Sequence, residues 1–289
     1  MYYPPRSKME FGRISPDAEA GDIVLPKSPT RAPFVRADGT SSSFELRFGL
    51  PVWARDEFVG PLYPEDTKKS DYLAAYAERC SAIELNATFY SVPTLERTRG
   101  WAADTPETFR FCPKMPKGLS HGHELKKEML NAFVGALEGF GNRLGVTFIQ
   151  LPEWADTSFR RPLFDLLEAL PSNMRFALEL RHEHWFSEEA TFTRLRAYLE
   201  KKGIGLAITD APGRRDVVHM ALTAPFTFVR FLGHDAGPED RRRIDEWLGR
   251  FEEWKTLGLE EAYFFIHHPN EVDGVPLLEP LRDWTARVR

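Results

Sequence analysis

From residue 44 onward, short apolar runs alternate with longer amphipathic segments. Eight of the runs have the length and the β-branched and aromatic content of buried strands, and they occupy residues 44–50, 82–86, 109–114, 147–151, 176–181, 206–210, 226–232 and 262–267. Between most of them, apolar residues recur at intervals of three and four, which predicts helices over 68–79, 95–102, 124–140, 159–170, 190–202 and 241–257, with a closing helix over 277–288. Strands that alternate with helices in this way predict parallel βα units, and their number predicts one (β/α)8 barrel of the TIM type.

Two stretches depart from this alternation. Residues 211–225 are too short and too interrupted by Pro and Gly for a crossover helix, so we expect an irregular connection there. Residues 1–42 contain prolines at positions 4, 5, 16, 26, 29 and 33 and have no sustained periodicity. We therefore predict an N-terminal arm over 1–42, outside a single barrel domain over 43–289.

Composition and net charge favour a globular protein over a membrane protein or a general nucleic-acid binder. The chain is 42% hydrophobic and 13% aromatic, enough for a sizeable core, and its net charge of -5 gives no general attraction to nucleic acid or to an anionic membrane. An apolar run of membrane-spanning length and the apolar centre of a signal peptide are both missing from the sequence, so we expect a soluble cytoplasmic protein. Cys80 and Cys112 each lie beside an apolar run, which favours two core residues over a disulfide or a thiolate metal site.

Polar residues collect at the carboxyl ends of the predicted strands. In the stretch FALELRHEHW, Glu179 and Arg181 follow an apolar run and project to the same side, because side chains alternate along a strand. The other predicted strands end in the same way, with Glu84 and Asn86, Lys114, Gln150, Asp210, Arg230, and the pair His267 and His268. In a barrel of this type the carboxyl ends carry the functional site, so these residues form a candidate site.

Seven blocks of the sequence resemble the signature segments of the domain-of-unknown-function-72 family. They are GLPVW (49–53), LYP (62–64), IELNATFY (83–90), FCPKMP (111–116), QLP (150–152), ELRHEHW (179–185) and VRFLG (229–233). The resemblance implies a TIM-type barrel and supplies no mechanism, since the family's activity is not established. Family members have consecutive asparagines near the end of the last strand, where this chain reads His267, His268, Pro269 and Asn270.

We interpret the candidate site as that of an enzyme acting on a small polar or anionic metabolite by general acid/base chemistry. The predicted proton-transfer groups are Glu179, Asp210 and His268, and the predicted substrate-binding groups are Glu84, Asn86, Lys114, Gln150, Arg181 and Arg230. We expect no cofactor and no metal, and a small-molecule ligand is the expected partner. Whether the protein turns over a substrate stays open at this point, and the oligomeric state is not predicted.

Other interpretations fit the same residues. The acids Glu84, Glu179 and Asp210 could pair with the cations as a purely structural charge ring. Together with His268 they could instead bind a divalent metal in a hydrolase, although no metal-motif spacing is present and three cations would oppose the ion. The same cavity could also recognise a ligand or a nucleic-acid end without turnover.

Two pairs outside the strands also carry candidate chemistry. His121 and His123 follow the third strand and could reach the site or lie in solvent. Arg214 and Arg215 follow the sixth strand and could bind a carboxylate or phosphate, or simply pair with Asp216.

Overall fold

A computed structural model describes residues 12, 23–28, 43–234 and 236–288. All eight predicted strands are present: β1 Glu45–Gly49, β2 Ala82–Leu85, β3 Arg110–Pro113, β4 Thr147–Gln150, β5 Phe176–Glu179, β6 Gly205–Asp210, β7 Phe226–Leu232 and β8 Glu261–His267. The α-helices are α1 Tyr72–Arg79, α2 Ala87–Tyr90, α3 Leu95–Ala103, α4 Lys117–Ser120, α5 Lys127–Leu137, α6 Arg160–Glu168, α7 His184–Ser187, α8 Glu189–Lys202, α9 Pro238–Thr256 and α10 Leu278–Val288. Short 3-10 helices lie at Asp56–Phe58, Lys69–Asp71, Glu138–Arg143, Thr157–Phe159, Arg215–Val217 and Glu271–Gly274.

The strands form two parallel sheets. Six of them pair in the order β1-β8-β7-β6-β5-β4, and β2 pairs with β3. The α/β alternation is therefore confirmed, but the predicted single closed sheet is not formed, because the ladder stops between β1 and β2 and between β3 and β4. The strands at these two gaps are only four or five residues long, and Pro113 at the end of β3 has no N–H to donate.

Sequence signals account for most helix boundaries. Helix α9 begins with Pro238 in its first turn, followed by Glu239 and Asp240, whose negative charge suits the helix amino terminus. Helix α8 ends at Gly203, which adopts the left-handed conformation, with φ 66°, that closes many helices. The connection after β6 contains only a 3-10 turn, as predicted. The short helices α2, α4 and α7, which directly follow the residues at the ends of β2, β3 and β5, were not predicted.

An inner core lies on the face of the strands opposite the main hydrophobic core. It is separate from the larger core between strands and helices, and it consists of Ala82, Cys112, Val146, Phe148, Ala177, Ala207, Ala224, Phe226, Phe228, Tyr263 and Phe265. The large side chains come from β4, β7 and β8, and the other strands contribute small ones, which lets the two sets interdigitate. Both cysteines are buried, as the sequence predicts.

Residues 23–28 run along helix α9. The Leu25 amide donates to Glu246 Oε2 at 3.3 Å, Arg242 donates to the carbonyl of Ile23 at 2.9 Å, and Trp254 Nε1 donates to Ser28 Oγ at 2.7 Å. The remainder of the predicted arm, apart from Gly12, lies outside the described residues. Among the helices of the described chain, none is long and apolar enough to cross a membrane.

Candidate functional site

A layer of polar side chains lies directly above the inner core, at the carboxyl ends of the strands. Each of its members follows an inner-core residue by two positions, so that both project from the same face of a strand. The seven members are Glu84, Lys114, Gln150, Glu179, Thr209, Arg230 and His267, after Ala82, Cys112, Phe148, Ala177, Ala207, Phe228 and Phe265. Asn86 and Arg181 extend the layer by one further step from Glu84 and Glu179.

Arg230 joins the two carboxylates of this layer. Its Nε donates to Glu84 Oε2 at 2.9 Å and its Nη2 to Glu84 Oε1 at 3.1 Å, while its Nη1 lies 3.2 Å from both oxygens of Glu179. Neither carboxylate has any exposed surface, and Arg230 is 2% exposed. All three nitrogens of the guanidinium contact a carboxylate, so Arg230 is the centre of this buried network.

The remaining lone pairs of the two carboxylates are also occupied. Asn86 Nδ2 donates to Glu84 at 2.9 Å, and His267 Nε2 lies 2.9 Å from its other oxygen. The donors to Glu179 are Gln150 Nε2 at 2.7 Å, Thr209 Oγ1 at 2.8 Å and Arg181 Nε at 2.9 Å.

These contacts keep both carboxylates ionised. Burial alone would raise the pKa of Glu84, but the charge of Arg230 and the contact with His267 hold that pKa well below its usual value. In the same way, Arg181, Arg230 and the Gln150 hydrogen bond outweigh burial and lower the pKa of Glu179 to about 2. A carboxyl group with so low a pKa cannot donate a proton near neutral pH.

Lys114 is a basic member of the layer whose charge is not matched by a carboxylate in the described chain. Its Nζ donates to Gln150 Oε1 at 2.8 Å and lies 4.2 Å from the ring centre of Phe89. Within the described chain it has no ion-pair partner, because Arg230 and Arg181 already pair with the nearby carboxylates. Burial, followed by the charge of Arg230, lowers the pKa of Lys114 to about 7, and the attraction of Glu84 and Glu179 does not restore it.

Exposure shows which side of the network solvent can reach. Lys114 keeps 8% of its surface and Gln150 7%, and the side chain of Arg181 is 13% exposed. His121 borders this edge: its ring centre lies 5.3 Å from that of Phe89, and burial together with the charge of Lys114 lowers its pKa to about 4. The accessible edge therefore consists of two basic side chains, an amide, a neutral imidazole and the exposed carboxylate of Glu153, which lies 3.5 Å from Arg181 Nη1.

Asp210 does not lie in this layer, although its position at the carboxyl end of β6 predicted it there. Its neighbour Thr209 faces Glu179, so Asp210 projects to the opposite side of β6, toward helix α9. There Trp247 Nε1 donates to its Oδ2 at 2.8 Å, Arg243 pairs with it at 3.0 Å, and Arg215 contacts its other oxygen. Despite its burial, these arginines lower the pKa of Asp210.

His268 is also placed elsewhere, and its neighbour His267 takes the position in the layer. His268 Nδ1 lies 2.9 Å from the carbonyl oxygen of Asn270, in the loop after β8, and its Nε2 is buried with no partner in the described part of the chain. His267, and not the predicted His268, therefore contacts Glu84 in the layer. Phe265 in the inner core was the available signal, since His267 follows it by two residues.

The remaining predicted groups have separate environments. Arg214 forms two hydrogen bonds with Asp216, at 2.8 and 2.7 Å, which matches the simpler alternative for that turn. His123 stacks on Trp154, with ring centres 5.6 Å apart.

Among the described residues, one group of possible metal ligands comes together in the loops after β4 and β5. The four predicted ligands are not assembled, because Asp210 and His268 lie apart and Arg230 occupies the two glutamates. Asp156, His182 and His184, which were not predicted, offer ligand atoms within 4.8 Å of one another. His182 Nδ1 accepts the His184 amide at 3.2 Å, and Ser158 donates to Asp156 Oδ1, so His182 Nε2, Asp156 Oδ2 and the ring of His184 are the groups left for an ion.

Comparisons with known proteins agree with this architecture. The family described as "protein of unknown function DUF72" matches residues 47–287. The UPF0759 protein YecE of Escherichia coli K12 is 26% identical over 256 residues, covering 82% of this chain and 91% of YecE. The UPF0759 protein YunF of Bacillus subtilis is 27% identical, covering 66% of this chain and 71% of YunF.

Solved structures of the family are similar in fold. The DUF72 family protein TM1631 of Thermotoga maritima superposes with a TM-score of 0.65 at 21% identity, covering 82% of this chain and 99% of that protein. EF0366 of Enterococcus faecalis, also of the DUF72 family, gives a TM-score of 0.63 at 18% identity, with coverage of 84% and 99%.

Proposed function

We propose that this chain, which belongs to the DUF72 family of proteins of unknown function, is an enzyme that binds a small anionic metabolite at the carboxyl ends of its strands and moves a proton with Lys114. The observation that carries the proposal is the state of Lys114: a nearly buried amine with a pKa of about 7, at the accessible edge of a polar layer. A base with a pKa near the working pH is the most effective proton carrier.

Electrostatics at the accessible edge favour an anion. The carboxylates of Glu84 and Glu179 are covered by their donors, whereas Lys114 and Arg181 retain exposure. Glu153 lies 3.5 Å from Arg181 Nη1, but its side chain is 58% exposed, so water weakens this ion pair. A carboxylate or phosphate bound beside Lys114 would stabilise the ammonium form and so raise its pKa. The bound anion therefore makes Lys114 a stronger base, which suits a group that takes a proton from its substrate once the substrate is bound.

This proposal reassigns the roles given to single residues by the sequence. Glu179 is ionised and fully bonded, and Asp210 and His268 lie apart from the layer, so none of the three is retained as a proton-transfer group. Arg230 pairs with Glu84 and Glu179 at the centre of the layer, and we no longer assign it to substrate binding. Of the predicted binding groups, Lys114, Gln150 and Arg181 lie on the accessible edge.

We also propose that the two sheets curve into one closed barrel. Support comes from single contacts across both gaps: the Ser81 amide donates to the Phe48 carbonyl at 3.1 Å, and the Met115 amide donates to the Phe148 carbonyl at 2.9 Å. Isolated bridges also join Phe111 to Leu144 and Lys114 to Phe148. In the same scheme residues 1–42 are an arm outside a domain over 43–289, and the contacts of residues 23–28 with helix α9 support that division.

Anion binding is tested by calorimetry with phosphate, sulfate and gluconate. The wild type should bind at least one of them at millimolar levels, and Arg181→Gln should weaken that binding by about 10-fold to 150-fold, the range for hydrogen bonds to charged groups. Arg161→Gln is the matched control, because Arg161 lies exposed on helix α6, and it should bind as the wild type does. Equal affinities in all three proteins, or no binding at all, would overturn the proposal.

A further inference from the structure

We propose that Lys114 forms a covalent iminium with the carbonyl carbon of its substrate, which is a small aldehyde or ketone bearing a carboxylate or phosphate. This inference rests on the proposed function and deepens it, since it assigns the chemical class of the metabolite and the bond that Lys114 makes. Three features of the layer carry it: the state of the amine, the ring that covers it and the cation beside it.

The first feature is that no carboxylate of the described residues forms an ion pair with Lys114. A buried lysine is normally paired with an acid. Here Arg230 and Arg181 take the nearby carboxylates, and the lysine is left with the amide oxygen of Gln150. A hydrogen bond to an amide oxygen uses one N–H and leaves the lone pair of a neutral amine available to attack a carbonyl. The pKa of about 7 agrees with this arrangement.

The second feature is the surface on which the amine rests. Lys114 Nζ lies 4.2 Å from the ring centre of Phe89 and 5.4 Å from that of Phe148. The protonated iminium is a cation, and the negative face of an aromatic ring stabilises a cation in a partly dry site. Glu84 and Glu179 also favour positive charge at this position, against burial and the charge of Arg230. The iminium has one N–H where the ammonium has three, so burial costs it less hydration than it costs the ammonium.

The third feature is Arg181, whose Nε is bonded to Glu179 while its Nη1 lies at the accessible edge, 3.5 Å from the exposed carboxylate of Glu153. A guanidinium at this position can bind the anionic group of the substrate and direct the neighbouring carbonyl toward Lys114. A substrate with both a carbonyl and an anion is therefore favoured over a neutral aldehyde.

Formation of the iminium needs no oxidant or reductant. The neutral amine of Lys114 adds to the carbonyl carbon, the C–N bond forms and the oxygen becomes a hydroxyl as the nitrogen proton moves to it. This carbinolamine then takes up one proton from solvent and loses water as the C–O bond breaks, leaving C=N⁺H on Lys114. Hydrolysis by the reverse steps returns the amine.

Reductive trapping tests the inference. The full-length protein is incubated at neutral pH with glyoxylate or acetaldehyde as probe, sodium borohydride is added as the reductant, and the modified lysine is located by peptide mass spectrometry. About half of Lys114 is neutral at pH 7, against roughly one in a thousand for an ordinary lysine, so it should be labelled at least about tenfold faster than Lys117. Lys114→Arg should lose the adduct, and Lys117→Arg should keep it.

Two further comparisons separate the inference from the proposed function. Arg181→Gln should slow labelling by glyoxylate and leave labelling by acetaldehyde unchanged, because only glyoxylate carries an anion. If phosphate competes with glyoxylate for binding yet no adduct forms on Lys114, the iminium is wrong and anion binding stands. Adducts spread evenly over exposed lysines, with Lys114 no faster than Lys117, would also overturn the iminium. If neither phosphate nor glyoxylate binds, both proposals fail.

Discussion

Replacing Lys114 by methionine should stabilise the fold, an unusual expectation for a change in a polar network. Methionine keeps an unbranched, flexible side chain against Phe89 and Phe148 and removes the basic nitrogen. The expectation follows because burial and Arg230 together disfavour the ammonium form in the folded state. In the unfolded chain the same nitrogen is solvated and protonated.

The contacts of Lys114 set a bound on the gain in the free energy of unfolding. Burial and the charge of Arg230 lower the pKa of Lys114 from 10.5 to about 7, and at about 1.36 kcal/mol per unit the ceiling on the destabilisation is on the order of 5 kcal/mol. The substitution also removes the donor to Gln150 Oε1, which costs about 1–3 kcal/mol when that oxygen stays buried. With the larger of these costs the net gain is about 2 kcal/mol at pH 7 or below, or a rise in Tm of about 4–8 °C.

The sign of the pH dependence is a sharper test than the size of the gain. Between pH 7 and about 10 the unfolded lysine binds a proton that the folded one has released, so wild-type stability rises with pH in this window. The advantage of Lys114→Met should thus be greatest at or below pH 7 and should shrink toward pH 10. Urea unfolding of the wild type, Lys114→Met and the exposed control Lys117→Met measures it. A variant less stable than the wild type at pH 7, with a difference independent of pH, would refute the reasoning.

Three other substitutions test the layer and its surroundings. Arg230→Met leaves two buried carboxylates without their shared cation and should cost about 3–5 kcal/mol in denaturant unfolding; a loss below about 1 kcal/mol would contradict the assigned network. Asp210→Asn should lower the free energy of unfolding by about 1.5–3 kcal/mol, through weaker bonds to Arg243, and leave phosphate affinity unchanged in calorimetry. The contribution of Glu179 is present above its unfolded pKa of about 4.3 and is lost as pH falls toward its folded pKa of about 2, so Glu179→Gln should show a shallower loss of stability over that window in acid titrations followed by circular dichroism. An unchanged acid profile would argue against the low pKa.

Side chains alternate between the two faces of a strand, and this alternation indicates which residues share the polar layer. Asp210 and His268 were assigned to the site without it, and both lie outside the layer. Glu179 and Arg181 were placed together because they are two residues apart, and the structure joins them at 2.9 Å. The same rule, started from Ala207 and Phe265 in the inner core, selects Thr209 and His267 and excludes Asp210 and His268. The sequence therefore contained this information.

Other features depend on packing that no local pattern specifies. The sequence places a lysine at the end of β3, but it does not indicate that Arg230 pairs with both Glu84 and Glu179. The low pKa of Lys114 depends on that pairing. The gaps in the ladder depend on the lengths and offsets of short neighbouring strands. Asp156, His182 and His184 meet only because two loops, after β4 and β5, lie side by side.

The central claim, that the polar layer holds Lys114 as a neutral amine at physiological pH, is tested most directly by competitive labelling of single lysines. Trace acetic anhydride is allowed to react across pH values from about 5 to 11, and the extent of acetylation of each lysine is read from peptide masses. The account predicts a titration midpoint near pH 7 for Lys114. A midpoint near 10.4, the value of an unperturbed lysine, would contradict it.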